Sequence, residues 1–232
     1  FGGSGDDACF VTSINPSNGH IYIGGATSSS NLPGDTNGTI YSTNQGGPAT
    51  PGNGPIDGFV TDLLPDLSGI QKTTYIGTTG VDLVYGLKFD KKGFPYITGT
   101  TTSSNWPILN VLFSNPGSSQ FIVKLKPDLS GYEYSTVFGT GSSNPNISPV
   151  AFLVDRCENV YVTGWGGGIN ISDDYETGNT FGLPEKDPIT NIPAPDGRDF
   201  YFFVLQKNAQ SQLFGSHFGQ NGGLGDHVDG GT

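Results

Sequence analysis

Along this chain, apolar residues fall in short runs, and polar, glycine and proline residues fill the gaps between them. "FVTDLL", "KTTYIG", "VYGLKF" and "PYITGT" follow one another between residues 59 and 100, and "FIVKL", "YEYSTVF", "FLV" and "VYVTGW" repeat the rhythm further on. Each run either alternates in polarity or is apolar throughout, as expected of strands whose sheets are covered on one or both faces. Hardly any stretch free of Gly and Pro carries an apolar period of 3.6 residues, so little or no α-helix is expected. The predicted elements are short strands joined by turns.

The runs also recur as a set. "YIGTTGVDLVYGLKFDKKGFPYITGTTTSSNWP" (75–107) aligns with "FGGSGDDACFVTSINPSNGHIYIGGATSSSNLP" (1–33), with "VFGTGSSNPNISPVAFLVDRCENVYVTGWGGG" (137–168), and with "HFGQNGGLGDHVDGG" (217–231). Upstream, "GFVTDLLPDLSGIQKTTYIG" (58–77) matches "QFIVKLKPDLSGYEYSTVFG" (120–139), and "FYFFVLQKNAQSQLFGSHFG" (200–219) is a looser version. A full unit reads as four strands, for example 59–64, 71–76, 85–90 and 95–100, turned by "PDLSG", "GTTGVD" and "DKKG". In such turns Asp and Asn cap their own backbone, and glycine supplies positive φ.

This division gives a partial blade at 1–33, a linker at 34–57, a blade at 58–107, a linker at 108–117, a blade at 118–166, a linker at 167–197 and a partial blade at 198–232. The linkers are rich in Pro, Gly, Asn and Asp and all follow the fourth strand of a unit. Insertions at one point of a repeat project on one face, often a binding face. A repeated four-stranded unit is the sequence form of a β-propeller blade, so the expected class is an all-β propeller of four-stranded antiparallel blades, here an arc of a larger ring. A sandwich of serial hairpins is the alternative.

The strings "KPDLSG" (126–131), "FGGSGDD" (1–7), "GLKFDKKGFPYITGTTTSSNWP" (86–107) and "FLVDRCENVYVTGW" (152–165) closely resemble the bacterial SBBP β-propeller repeat family. The run "DRCENVYVTGWGGG … DHVDGGT" is similar to large cell-surface proteins of gliding Bacteroidetes that use type IX secretion. The resemblance implies an extracellular or outer-membrane location and brings no catalytic residues with it. It points to adhesion through surface glycans or proteins, or to a place among the domains of a larger surface assembly. A structural spacer in a surface filament, or a non-catalytic part of a polysaccharide-degrading enzyme, is the alternative.

Charge and candidate chemistry narrow this further. The formal net charge is −11 with no basic cluster, so nucleic acid and anionic membrane surfaces would be repelled. No apolar run is long enough to span a bilayer. "FGGSGDD" lacks the lysine of a phosphate loop and leads into a strand, so no nucleotide site is expected. Asp6, Asp7, Asp82, Asp226 and Asp229 sit at equivalent turns and could offer oxygens to calcium, but the third copy, "GTGSSNPNIS", has no acid there; turn capping is preferred. The acidic linker strings "GDTNGT" (34–39) and "ISDDYE" (171–176) leave structural calcium open without a recognised ligand spacing.

For catalysis, His20, His217 and His227 are the only histidines and no nucleophile elbow accompanies them. Pairing Asp173, Asp174, Glu176 and Glu185 as glycosidase carboxylates would be arbitrary among 21 acids. Trp106 and Trp165 invite sugar stacking, yet both fit the role of covering strand ends. Cys9 and Cys157 have no metal or disulfide spacing and are not expected to bond each other. Asn37, Asn146 and Asn170 begin N-x-S/T strings, which carry little weight in a bacterial protein. The expectation is therefore a non-enzymatic protein with no catalytic, cofactor or metal residues assigned.

Overall fold

A computed structural model describes residues 1–46, 56–166, 178–190 and 196–219. Twelve strands run through them in chain order: β1 (Asp7–Ile14), β2 (Ile21–Thr27), β3 (Asp57–Leu63), β4 (Ile70–Ile76), β5 (Asp82–Phe89), β6 (Pro95–Thr101), β7 (Gln120–Leu125), β8 (Tyr132–Phe138), β9 (Ser148–Val154), β10 (Val160–Trp165), β11 (Phe200–Leu205) and β12 (Gln212–Phe218). One 3₁₀ turn, Lys207–Ala209, is the only helical element among the described residues. The strands form three antiparallel four-stranded sheets ordered β1-β2-β3-β4, β5-β6-β7-β8 and β9-β10-β11-β12. This is the expected all-β blade architecture.

The blades are phased differently from the sequence repeat. The unit 58–107 gives β3 and β4 to the first sheet and β5 and β6 to the second. The expected half blades at 1–33 and 198–232 do not stand apart, because β2 pairs with β3 and so joins β1 and β2 to β3 and β4, and β11 pairs with β10 and so joins β11 and β12 to β9 and β10. String similarity fixes the period of a repeat but not its phase, and hydrogen-bond register sets the phase. The five residues 77–81 cross from one sheet to the next, whereas the long segment 28–56 joins strands that are neighbours in one sheet. Loop closure grows only slowly with length, so the long connection costs little more than a short one.

The described parts of the linkers do not project from one face as expected. Each runs back along the outermost strand of its own sheet. Thr73 donates to the Asp35 carbonyl and Tyr75 to that of Tyr41, Leu109 and Ser135 exchange both backbone bonds, and so do Lys186 and Gly215. The exposed edges of β4, β8 and β12 are thereby covered, which removes templates for aggregation.

The sheets pack face to face. Tyr96, Ile122 and Phe138 of the second are buried against Phe152, Val162 and Phe203 of the third, and the rings of Phe138 and Phe203 stack at 4.4 Å. Tyr22, Val60 and Ile76 of the first meet Leu87, Ile97 and Val123 of the second. At each interface the innermost strands β1, β5 and β9 lie beside one another.

The innermost pair of every sheet carries a bulge. Phe10 is the extra residue between Cys9↔Gly25 and Val11↔Gly24, Tyr85 lies between Val84↔Gly99 and Gly86↔Thr98, and Val150 between Pro149↔Gly164 and Ala151↔Thr163. The strand facing each bulge has glycine at one position. A Cβ on Gly25 or Gly99 would lie 1.9 Å from the carbonyl oxygen of Ala8 or Leu83, and on Gly164 it would lie 2.6 Å from that of Ser148. Gly99→Ala is therefore expected to cost about 3 kcal/mol of unfolding free energy in urea titration. Gly69→Ala, where the added carbon meets only Leu64 at 3.4 Å, is expected to stay within about 0.5 kcal/mol.

Candidate binding surface

The turn entering each innermost strand is built by one side chain. In the first, Asp7 Oδ2 accepts from Gly3 N at 2.7 Å and Ser29 Oγ at 3.0 Å, while Oδ1 accepts from Thr27 Oγ1 at 2.5 Å. In the second, Asp82 Oδ2 accepts from Thr78 N at 2.6 Å and Thr78 Oγ1 at 2.9 Å. The third copy lacks an acid, and there Asn146 Oδ1 accepts from Thr140 N and Thr140 Oγ1, both at 3.2 Å. Gly3, Thr78 and Thr140 are equivalent, so an amide oxygen replaces a carboxylate at the same task. These oxygens serve protein N–H and O–H groups, in keeping with turn capping. Asp6 is exposed at the same turn, with its backbone tied to Ser28. Among the described residues no group of three or more His, Cys, Asp or Glu is placed to share a metal ion. Asp226 and Asp229 lie outside the described residues, as do Asn170, Asp173, Asp174, Glu176 and His227.

Burial separates these carboxylates. It pushes Asp7 upward, but the donors Thr27, Gly3 and Ser29 outweigh it and hold the group below the usual range. For Asp82 burial wins over the donors Thr101 and Thr78, and the group is raised. Asp57, fully buried at the start of β3, accepts from Gln45 N. Burial, with the nearby Asp82 adding to it against the Gln45 and Gly46 amides, moves its carboxyl from 3.8 up to about 7.

The remaining sequence candidates are dispersed. His20 Nδ1 meets Asp62 Oδ1 at 2.7 Å beside the β1–β2 turn. His217 is buried, with Nδ1 2.9 Å from Glu185 Oε1 and Nε2 donating to the Thr180 carbonyl at 2.7 Å. Neither histidine has a nucleophilic side chain as its hydrogen-bond partner. Trp106 is 4% exposed, its ring stacks on Phe121 at 4.0 Å and its Nε1 donates to Ser135 Oγ at 2.9 Å, so it covers a strand end and offers no face to a sugar. Trp165 ends β10 between Ser148 and Phe200. Cys9 and Cys157 are exposed free thiols. Asn37 donates to Asp35 Oδ1 at 2.7 Å.

Among the described residues two apolar surfaces stand out, and neither was apparent from the sequence. One is a groove of about 220 Å³ where the three innermost strands meet, lined by Phe10, Tyr85, Lys88, Pro149, Val150 and Phe152. Its aromatic wall is made by the bulges, since an extra residue re-aims its side chain. Phe10 is 46% exposed and stacks on Tyr85 at 5.2 Å with the rings 16° apart. A glycine in mid-strand beside a β-branched residue, as in "ITG" and "VTG", was the available signal for these bulges. The other surface is the uncovered face of the third sheet, where Phe202, Phe214 and Phe218 hold the positions of Ile122, Tyr134 and Phe138. The second-sheet residues are buried beneath the third sheet, while Phe202 and Phe218 are exposed.

The sign of the Asp57 shift gives a pH dependence. An acid raised on folding binds its proton more tightly in the folded state, so its relative stabilisation is full below pH 3.8 and is lost as pH rises to about 7. Unfolding free energy followed by urea titration between pH 4 and 7 is expected to carry a falling component of at most about 1.4 kcal/mol per pH unit from this group. Asp57→Asn should remove that component.

In comparisons with known proteins no curated protein matches the chain, while residues 71–107, running from β4 through β6 to Pro107, match the model of the SBBP β-propeller repeat.

Proposed function

We propose that this chain is a non-enzymatic segment of a β-propeller in a large bacterial surface protein, and that it binds glycans or proteins outside the cell. The observation that carries this reading is the groove at the innermost strands. A partly exposed aromatic pair, Phe10 and Tyr85, stands beside the cation of Lys88 on a rigid three-sheet support. Aromatic faces beside polar groups suit sugar rings and protein side chains alike.

The uncovered face of the third sheet supports the arc of a larger ring, because it presents side chains of the type that the second sheet buries against its neighbour. The acidic charge and the repeat's resemblance to surface proteins favour an extracellular place, with secretion by the type IX route. The reading assigns no cofactor and no reaction to these residues, and it expects neither nucleic acid nor membrane insertion.

Glycan-array and matrix-protein binding by the intact chain would test this, with Phe10→Ala and Tyr85→Ala alongside. Retention of wild type is expected, weakened about tenfold in either variant, the equivalent of one lost stacking contact of about 1.4 kcal/mol. A wild-type chain that binds nothing but assembles into fibres would favour the filament spacer.

A further inference from the structure

One lysine of the second sheet is held in a setting that the other two sheets lack. Lys124 on β7 is 8% exposed, and its Nζ lies 2.9 Å from Asp90 Oδ2 and 2.9 Å from Glu158 Oε2. The rings of Phe94 and Tyr96 lie beneath Nζ, with centroids at 4.6 and 4.9 Å. Asp90 is 4% exposed, and its other oxygen, Oδ1, accepts from Lys92 N at 2.9 Å and Phe94 N at 3.0 Å. Glu158 reaches in from the β9–β10 turn of the third sheet; Tyr96 OH of the second sheet donates to its Oε2 at 3.2 Å, and Lys207 Nζ donates to its Oε1 at 2.7 Å.

The turn that holds Asp90 is shared by all three sheets, since Asn15 and Asp155 accept backbone bonds in the same manner. The lysine is particular to the second sheet. In register, its place is taken by Asp62 in the first and Val204 in the third. The glutamate is particular as well. Glu158 has φ 65, at a turn position where the equivalents are Gly19 and Gly93. A side chain in that region costs about 1–2 kcal/mol, and here the carboxylate it introduces reaches the lysine.

An amine held 2.9 Å from one oxygen of a carboxyl group, a second carboxylate on the amine, two N–H groups on the other carboxyl oxygen and a largely buried surround meet the requirements for forming an amide. We infer that Lys124 and Asp90 form an intramolecular isopeptide bond, with Glu158 relaying one of the protons. The Lys124 ammonium passes one proton to Asp90 Oδ2, 2.9 Å away, and the freed lone pair of Nζ attacks Cγ of the now neutral carboxyl group while Glu158, 2.9 Å from Nζ, takes a second proton as the C–N bond forms. The C=O electron pair moves onto Oδ1, where the Lys92 and Phe94 N–H groups receive the charge as an oxyanion hole does. Collapse re-forms C=O and breaks the Cγ–Oδ2 bond. Oδ2 leaves as water carrying two of the three ammonium protons, one of them delivered by Glu158, which ends as it began. Ammonium plus carboxylate thus becomes amide plus water, and no oxidant or co-reactant is needed. Fixed contact supplies the advantage of an intramolecular reaction, and exclusion of water disfavours the reverse.

Intact-mass measurement on the purified full chain under denaturing conditions tests this, after fluorescence has shown it to be folded. The expected mass is one water below that of the sequence. Proteolysis should yield a branched peptide joining Asp90 to Lys124. Lys124→Arg should show the full mass, and Glu158→Gln should also keep it. A folded wild-type chain at full mass would overturn the bond. So would a water deficit that maps to succinimide at Asp57–Gly58, Asp196–Gly197 or Asp229–Gly230. Loss of water that persists in Glu158→Gln would overturn the role given to Glu158.

Discussion

Between neighbouring sheets the buried side chains of both facing surfaces pack together, and the rest of the structure serves to keep that interface dry and closely packed. Phe138 against Phe203, and Tyr22 and Ile76 against Leu87 and Ile97, remove large apolar surfaces from water. Burial of this kind is the dominant favourable contribution to folding. An isolated four-stranded sheet with both faces apolar would have no such partner. Each innermost strand carries a bulge, the glycines at 25, 99 and 164 let the neighbouring backbone approach closely beside it, and the linkers cover the outer edges.

The same location between sheets is furnished in two chemically different ways. Between the first and second sheets lie Asp57 and Asp82, both fully buried and both raised above the usual carboxylate range. At the corresponding end between the second and third, Gln120 and Asn146 satisfy each other, with Gln120 Nε2 donating to Asn146 Oδ1 at 3.3 Å and Asn146 N donating to Gln120 Oε1 at 2.5 Å. The amide pair carries no charge to desolvate, whereas the acids trade that cost for stronger acceptors. One blade interface is therefore sensitive to pH at a point where its neighbour is not.

Strand positions were legible because apolar runs and turn residues are local signals. The repeat strings placed β3, β4 and β6 within one or two residues and the start of β5 within three, and the preference for Trp106 as a strand-end cover agreed with its stack on Phe121. Asn146 was legible only as a missing acid, since similarity in amino-acid type does not reveal that an amide oxygen can do the work of a carboxylate in one turn. The phase of the blades was hidden because Ile21–Thr27 and Asp57–Leu63, which pair, are separated by the longest linker in that sheet. The groove was hidden for a similar reason. Phe10, Tyr85 and Val150 come from three separate strands, and only the bulges turn them toward a common space.

The offset between repeat and sheet shapes how the molecule can change. Each sequence unit spans a boundary, giving two outer strands to one sheet and two inner strands to the next. Gain or loss of one unit by recombination would leave every sheet with four strands, because the cut passes between β2 and β3 of one sheet and the equivalent pair of another. The connection at that cut is long, and loop closure changes little with length, so a joint there costs little. The number of sheets could thus vary by whole blades while the packing between neighbouring sheets is copied intact.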